Sequence, residues 1–390
     1  MAKELRIGII GYNFMGRAHS NAWSQATKFF DPALKPVLKV ACGRNREAAQ
    51  AFADRWGWEE VETDWRKVVE RDDIDVIDIA LPQSLHHDVA MAAAANGKHI
   101  FCEKPLAVSS EQAKAMLATA EKAGVCHYLN HNYRRVPAIM LARQMIKEGK
   151  LGRIFHWRGA YQQDWIVDPD FPLTWQLQKE SAWAGPHADL NSHSVDLARY
   201  LVGEIRTISC LTSRFVDERP LPGDGATAFS ESAGNDGGQR PMGKVTVEDA
   251  SLMLAEFENG AVGTFEATRF ASGRKNKNSF EIYGSEGSLT FDLERLNELQ
   301  YFSRNDPEGS QGFRTILATE SVHPYVANWW PPGHTLGYEH SFTHAAVDFI
   351  RSVADGTPIH PNFEDGLRCI QVLEAGLHSA EQGRRVEVSR

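Results

Sequence analysis

The sequence predicts an α/β fold: an N-terminal doubly wound parallel sheet, followed by an α+β domain with an open, mostly antiparallel sheet. Three observations predict it. The first 125 residues alternate short apolar strands with helix-length segments, the pattern of a parallel sheet with helical crossovers. The first strand runs into Gly11-Tyr12-Asn13-Phe14-Met15-Gly16, a glycine turn of the kind that holds a dinucleotide pyrophosphate at a helix N-terminus. Beyond Pro137, strand-like runs follow one another across turns such as Glu258-Asn259-Gly260, as in an antiparallel sheet.

Taken in order, Leu5–Ile10 is the first strand and Met15–Ser24 begins a helix. Val37–Cys42, Val76–Ala80, His99–Cys102 and Cys126–Asn130 are the next apolar strands. Between them Arg46–Trp56, His86–Asn96 and Ser110–Ala123 carry helical spacing, each followed by a glycine that can close the helix. Residues 1–130 therefore form the dinucleotide-binding domain, and 131–390 the substrate-binding and oligomerisation domain. In the second, Ala138–Lys147 and Asp189–Tyr200 read as helices. Ile154–Trp165, Thr207–Phe215, Ala250–Phe257, Ala261–Thr268, Ser279–Gly284 and Ser288–Asp292 read as strands, and Phe342–Val353 and Gly366–Gly383 as closing helices. Pro222–Gly243, rich in Gly and polar residues, reads as a long loop.

Composition narrows the function classes. The chain has 390 residues, 42% of them apolar, and a formal net charge of −9. It lacks a basic run that would point to nucleic acid, and no apolar run approaches the roughly 20 residues that span a bilayer. The start of the chain carries no signal-like apolar stretch, so a cytoplasmic protein is expected. Its five cysteines form no CxxC pair, which argues against a disulfide framework or a zinc site. No metal, nucleic-acid or membrane partner is expected.

At the nucleotide turn, asparagine replaces the middle glycine of GxGxxG. Asparagine tolerates left-handed backbone better than most residues, so the turn is expected to survive. The second strand ends Ala41-Cys42-Gly43-Arg44. Gly43 stands where an acidic residue would bind the ribose diol of NAD. Arg44 could meet a 2′-phosphate or stack on adenine. Glu103-Lys104-Pro105 places a lysine at the carboxyl edge of the sheet.

These segments resemble the Gfo/Idh/MocA oxidoreductase family. The similarity runs through Gly11–His19, Leu81-Pro82-Gln83-Ser84-Leu85-His86, Glu103-Lys104-Pro105-Leu106, Asn132-Tyr133-Arg134-Arg135-Val136-Pro137 and Asp189–Asp196, in that order and across both domains. The sequence looks most like the sugar dehydrogenases of that family and related NAD-dependent glycosidases. The resemblance implies a Rossmann domain, a sugar bound between the domains, and a homodimer or homotetramer formed through the C-terminal sheet. It implies NAD(P) as cofactor, with NAD favoured over NADP by a small margin. It implies that Gly11, Tyr12, Asn13, Phe14, Met15, Gly43, Arg44, Leu81, Pro82, His86, Glu103, Lys104 and Asn132 line the cofactor. It assigns Lys104, Asp189 and His193 to catalysis, and places Tyr133 and Arg134 beside the substrate.

The residue types suit that chemistry. Asp189 and His193 are spaced to share one helix face. Oxidising an alcohol needs a base for the hydroxyl proton, which a histidine can be near neutral pH. Lys104 can stabilise the developing oxyanion, or act as the base if burial lowers its pKa. Either residue can fill that role on this evidence. Tyr161, Gln163, Asp164, Trp165, Trp175, Trp183 and His187 are candidate sugar contacts, because aromatic faces cover sugar C–H faces and amides or carboxylates bind hydroxyls. His187 or a cation of Arg274-Lys275-Asn276-Lys277 could face an anionic substituent. His323, His334 and His340, with Trp329-Trp330, read as a lid reaching over from a neighbouring chain.

The expected reaction is hydride transfer from a ring hydroxyl of a pyranose or glycoside, at C3, to nicotinamide. The alternative is a redox-neutral glycosidase that oxidises C3 transiently, eliminates the aglycone, adds water and re-reduces, for example on a sulfoquinovoside. A sugar-sensing protein without catalysis is a third class, disfavoured by the intact lysine and histidine.

Overall fold

The computed structural model describes residues 3–222 and 240–389. It divides into two compact units, Met1–Leu141 with Leu317–Ile370, and Ala142–Ile316 with Gln371–Arg390. The expected loop at 222–243 lies mostly outside the described residues.

The first unit holds β1 (Lys3–Ile10), α1 (Phe14–Phe29), β2 (Leu34–Cys42), α2 (Arg46–Trp56), β3 (Glu60–Glu62), α3 (Trp65–Val69), β4 (Val76–Ile79), α4 (His86–Ala95), β5 (His99–Cys102), α5 (Ser110–Ala123) and β6 (His127–Leu129). Its sheet has six strands in the order β3-β2-β1-β4-β5-β6. All are parallel, so the order reverses between β1 and β4. Ligands of open α/β sheets bind at that switch point. The central strands are rich in buried apolar residues: Ile7, Ile9, Val76, Ile77, Ile79 and Ile100 are inaccessible to solvent, as expected where helices cover both faces. Capping sets the helix ends. The Asn45 side chain accepts from Ala48 N and left-handed Gly57 closes α2, while Ser109 and Gly124 do the same for α5.

Residues 317–370 also contribute to this unit. The reason is packing. Phe342, Phe349 and Ile350 join Trp23, Phe101 and Tyr128 in one buried core. The Trp329 segment is fastened to its own chain: its ring lies 4.2 Å from that of Phe29 and its Nε1 donates to His344 Nε2 at 2.7 Å.

The second unit, and the chain segments joining it to the first, hold α6 (Pro137–Lys147), β7 (Ile154–Gln162), α7 (Lys179–Ala182), α8 (Pro186–Asp189), α9 (Asn191–Leu201), β8 (Ile205–Ser213), β9 (Glu218–Pro220), β10 (Met242–Lys244), β11 (Ala250–Phe257), β12 (Val262–Thr268), β13 (Lys277–Gly284), β14 (Gly287–Asp292), β15 (Glu298–Ser303) and β16 (Arg314–Leu317). Helices α10 (His340–Asp355) and α11 (Phe363–Gln382) and strand β17 (Val386–Glu387) follow. The nine-stranded sheet runs β16-β15-β14-β13-β7-β12-β11-β8-β17. It is antiparallel in most described pairs and parallel between β7 and β12. Its strands alternate. Met253, Ala255, Phe265 and Ala267 are buried, whereas Leu252, Leu254, Leu211 and Val262 are exposed on the opposite face, as a period of two requires.

Candidate active site

In the first unit, the turn after β1 is shaped for a close ligand. Gly11 has φ 110°, its N–H donates to Cys42 O, and a Cβ there would overlap the Ala80 carbonyl oxygen. A Cβ at Gly16 would overlap Gly11 O. Both glycines are therefore sterically required. Asn13 is not left-handed. It caps α1 at φ −76° and ψ −152° without using its side chain for the helix, so asparagine is accommodated because the strain sits at Gly11. This is the cradle a pyrophosphate needs, and the residues fit NAD. Phe14 is half-exposed and stacks on Tyr338, Met15 packs into the core, and Tyr12 lies over Gly43. Arg44 is exposed.

Loops at the ends of β4 and β5 carry the next group. His86 is buried, with Nδ1 2.9 Å from Pro105 O and Nε2 2.9 Å from Leu81 O. It ties the Leu81-Pro82 turn to the segment after Lys104. Burial lowers its pKa against the pull of these carbonyls. Glu103 is buried too. Its Oε1 lies 2.9 Å from His19 Nε2 and accepts from Asn130 Nδ2 at 2.6 Å. His19 Nδ1 meets Asp78 Oδ1 at 2.7 Å, and Trp23 donates to the other oxygen of Asp78. Burial opposes charge on His19, but Asp78 and Glu103 outweigh it and raise its pKa to about 10. Burial likewise opposes charge on Glu103, and His19 overcomes it, holding that carboxyl below its usual range. Glu103 therefore faces an internal imidazolium through Oε1. Lys104 follows it, half-buried. Asn132 donates to Ser341 at 2.8 Å, Tyr133 is buried against Tyr338, and Arg134 pairs with Asp365 at 3.1 Å.

The second unit assembles a polar and aromatic cluster. Asp189 ends α8 and His193 lies in the first turn of α9, so the expected single helix is broken at Leu190. The Tyr161 ring lies 5.7 Å from that of His193. Tyr161 Oη and Gln163 Nε2 both donate to Asn276 Oδ1, at 2.8 and 2.9 Å. Trp165 Nε1 donates to Gln163 Oε1 at 2.8 Å. Arg269 lies over the Trp165 ring at 5.1 Å and donates to Asp189 Oδ2 at 2.6 Å. Tyr161, Gln163, Trp165, Asp189 and His193 thus come together, held by Asn276 and Arg269. Neither Asn276 nor Arg269 is among the sugar contacts that the sequence points to.

Three expected sugar contacts are placed differently. His187 is fully buried, with Nδ1 2.8 Å from Ser251 Oγ and Nε2 2.7 Å from Leu373 O. Burial lowers its pKa, and it is a core histidine with both nitrogens used. Asp164 accepts from Lys275 Nζ and Gly273 N, both at 2.9 Å. Lys275 first, then the Gly273 N–H, lowers its pKa, so Asp164 pins the turn before β13. Trp175 is exposed in a short 3-10 turn.

Comparison with known proteins follows this division. The family described as an oxidoreductase family with an NAD-binding Rossmann fold matches residues 5–131, and the GFO/IDH/MocA C-terminal domain matches 139–290. Levoglucosan dehydrogenase of Pseudarthrobacter phenanthrenivorans is 43% identical over 388 residues, covering 99% of this chain and 98% of its own. A crystal structure of an oxidoreductase domain protein from Kribbella flavida matches with TM-score 0.93 and 47% identity, covering 100% of both chains. A levoglucosan dehydrogenase structure in complex with NADH and levoglucosan matches with TM-score 0.93 and 41% identity, also covering 100% of both. Among the described residues, no helix is long and apolar enough to cross a membrane. The chain is an oxidoreductase and belongs to the Gfo/Idh/MocA family.

Proposed function

We propose that this chain is an NAD-dependent sugar dehydrogenase that oxidises a ring hydroxyl, at C3 of a pyranose or anhydropyranose. The observation that carries the reading is the full-length 43% identity to levoglucosan dehydrogenase. The chemistry of the two units supports it. Nicotinamide supplies the hydride acceptor when bound, and the turn at Gly11 is built for the pyrophosphate beside it. His193 takes the hydroxyl proton. Lys104 donates to the substrate oxygen and stabilises its developing charge. Asp189 and Gln163 orient neighbouring hydroxyls, and the Trp165 face covers the sugar's C–H face. The exposed stripe of Leu211, Leu252, Leu254 and Val262 supports a homo-oligomer through the sheet.

The test is absorbance at 340 nm, together with aglycone release, on a panel of sugars and aryl glycosides that includes levoglucosan and a sulfoquinovoside. Stoichiometric NADH without aglycone release is expected. Aglycone release with only catalytic cofactor would replace the dehydrogenase by the redox-neutral glycosidase.

A further inference from the structure

Gly43 directly follows strand β2, with its N–H donating to Glu62 O at 3.1 Å. In a Rossmann sheet this position carries the carboxylate that binds the ribose diol and repels a 2′-phosphate. Here the space is filled. A Cβ at Gly43 would overlap Cδ1 and Cε1 of Tyr12. That ring is itself set against Phe52, with centroids 6.3 Å apart. Tyr12 and an acidic residue at 43 are therefore mutually exclusive unless the phenol swings away. No acidic side chain from position 43 can guard the 2′ position, and exposed Arg44 follows directly.

We propose that Tyr12 and Gly43 form a matched pair that sets nucleotide choice, leaving the adenosine end permissive to a 2′-phosphate, so that the chain binds NADP(H) as well as NAD(H). This deepens the cofactor side of the proposed function and rests on that reading only for the use of a nicotinamide nucleotide. The phenol offers the ribose a neutral contact in place of a charged acceptor. Nothing at position 43 then penalises a phosphate monoester, and a guanidinium is next in the chain.

The test is fluorescence titration of the purified full-length protein with NADH and NADPH in the absence of sugar. The wild-type dissociation constants are expected to agree within about tenfold. In Tyr12→Gly/Gly43→Asp, the NADPH-to-NADH ratio of dissociation constants should rise about a hundredfold or more, since a carboxylate then faces the phosphate. A second pair of variants tests the packing alone. Gly43→Ala should weaken both nucleotides by about tenfold, and adding Tyr12→Ala should restore most of the loss, a coupling that a double-mutant cycle reads directly. A wild-type ratio above about tenfold, an unmoved ratio in the double variant, or no rescue of Gly43→Ala would each overturn the proposal. Failure of the sugar assignment leaves these titrations unchanged, whereas failure to bind either nucleotide would count against the dehydrogenase reading itself.

Discussion

Arg269 Nη2 lies 2.6 Å from Asp189 Oδ2, and only the aspartate of this pair reaches solvent: the arginine side chain is 1% exposed and the aspartate 41%. A buried guanidinium thus holds an accessible carboxylate by one oxygen. Its other face is covered by Trp165. The strand end after β12 therefore sets the direction of a proposed catalytic carboxylate and of a proposed sugar-stacking ring together.

The first prediction concerns that pair. Arg269→Lys keeps a charge but loses the planar contact with Trp165 and the fixed direction of the hydrogen bond. It is expected to lower kcat/KM by roughly 10-fold to 100-fold, mainly through KM, at unchanged affinity for NADH. Arg269→Met should do the same with a larger rise in KM, because it removes the hydrogen bond to Asp189 altogether. Steady-state kinetics measure both. Equal losses in KM and in NADH affinity would show a merely structural arginine.

A second prediction separates Asn276 from its cationic neighbours. Asn276 Oδ1 receives both Tyr161 and Gln163, so Asn276→Ala frees two proposed sugar contacts at once. KM for the sugar should rise by about 10-fold or more, with each lost hydrogen bond costing on the order of 1 kcal/mol. Lys275→Ala removes only an exposed partner of Asp164. It should change KM less than about 2-fold, as is usual for a surface pair. A larger effect at Lys275 than at Asn276 would return the anionic-substituent reading of the basic cluster.

Much of the fold was readable because it rests on local signals. The bounds expected for α2 and α5 agree with those observed, since Asn45, Gly57, Ser109 and Gly124 supply both caps in sequence. Strand β3 was missed because Glu60–Glu62 is three residues long and charged at both ends. It forms only because β2 offers an edge to pair with. The nucleotide turn was legible from its glycines. Its internal support was not: Asp78 and Asn130 stand 59 and 111 residues from His19, and no periodicity links them. His187 misled for a related reason. A polar residue in a small-residue stretch looks functional until the chain folds Ser251 and Leu373 onto its two nitrogens.

The third prediction follows from that burial. His187→Phe should lower stability by roughly 1–3 kcal/mol, as expected when Ser251 and Leu373 O lose a buried partner and a larger ring is forced in. The substrate profile should stay unchanged. Gly376 is in close contact with the ring, where an added Cβ would lie 3.0 Å from Nε2, so Gly376→Ala should be destabilising by the same route. Thermal unfolding and relative rates on several sugars measure the two effects. A changed sugar preference in His187→Phe at wild-type stability would restore His187 to the substrate site.

The last prediction is a stability maximum near pH 6.5, with histidines acting on both sides. On the alkaline side the group is His19, whose pKa is raised to about 10 by Asp78 and Glu103 despite burial. Between the unfolded value of 6.5 and that value the native state holds a proton that the unfolded chain has released. Its contribution is complete below pH 6.5 and falls as pH rises, by up to about 1.4 kcal/mol per pH unit. On the acid side, burial lowers His127 to about 4, helped by His360, and lowers His344 to about 3. There the unfolded chain takes up protons that the native state refuses, so stability falls as pH drops below 6.5. Denaturant unfolding across this range should give a dome, and His19→Gln should flatten its alkaline limb. The same variant should lose on the order of 3–5 kcal/mol near neutral pH, because two buried carboxylates are left without their cation. An alkaline limb that keeps its slope in His19→Gln would mean that the imidazolium is not what ties Asp78 and Glu103 to α1.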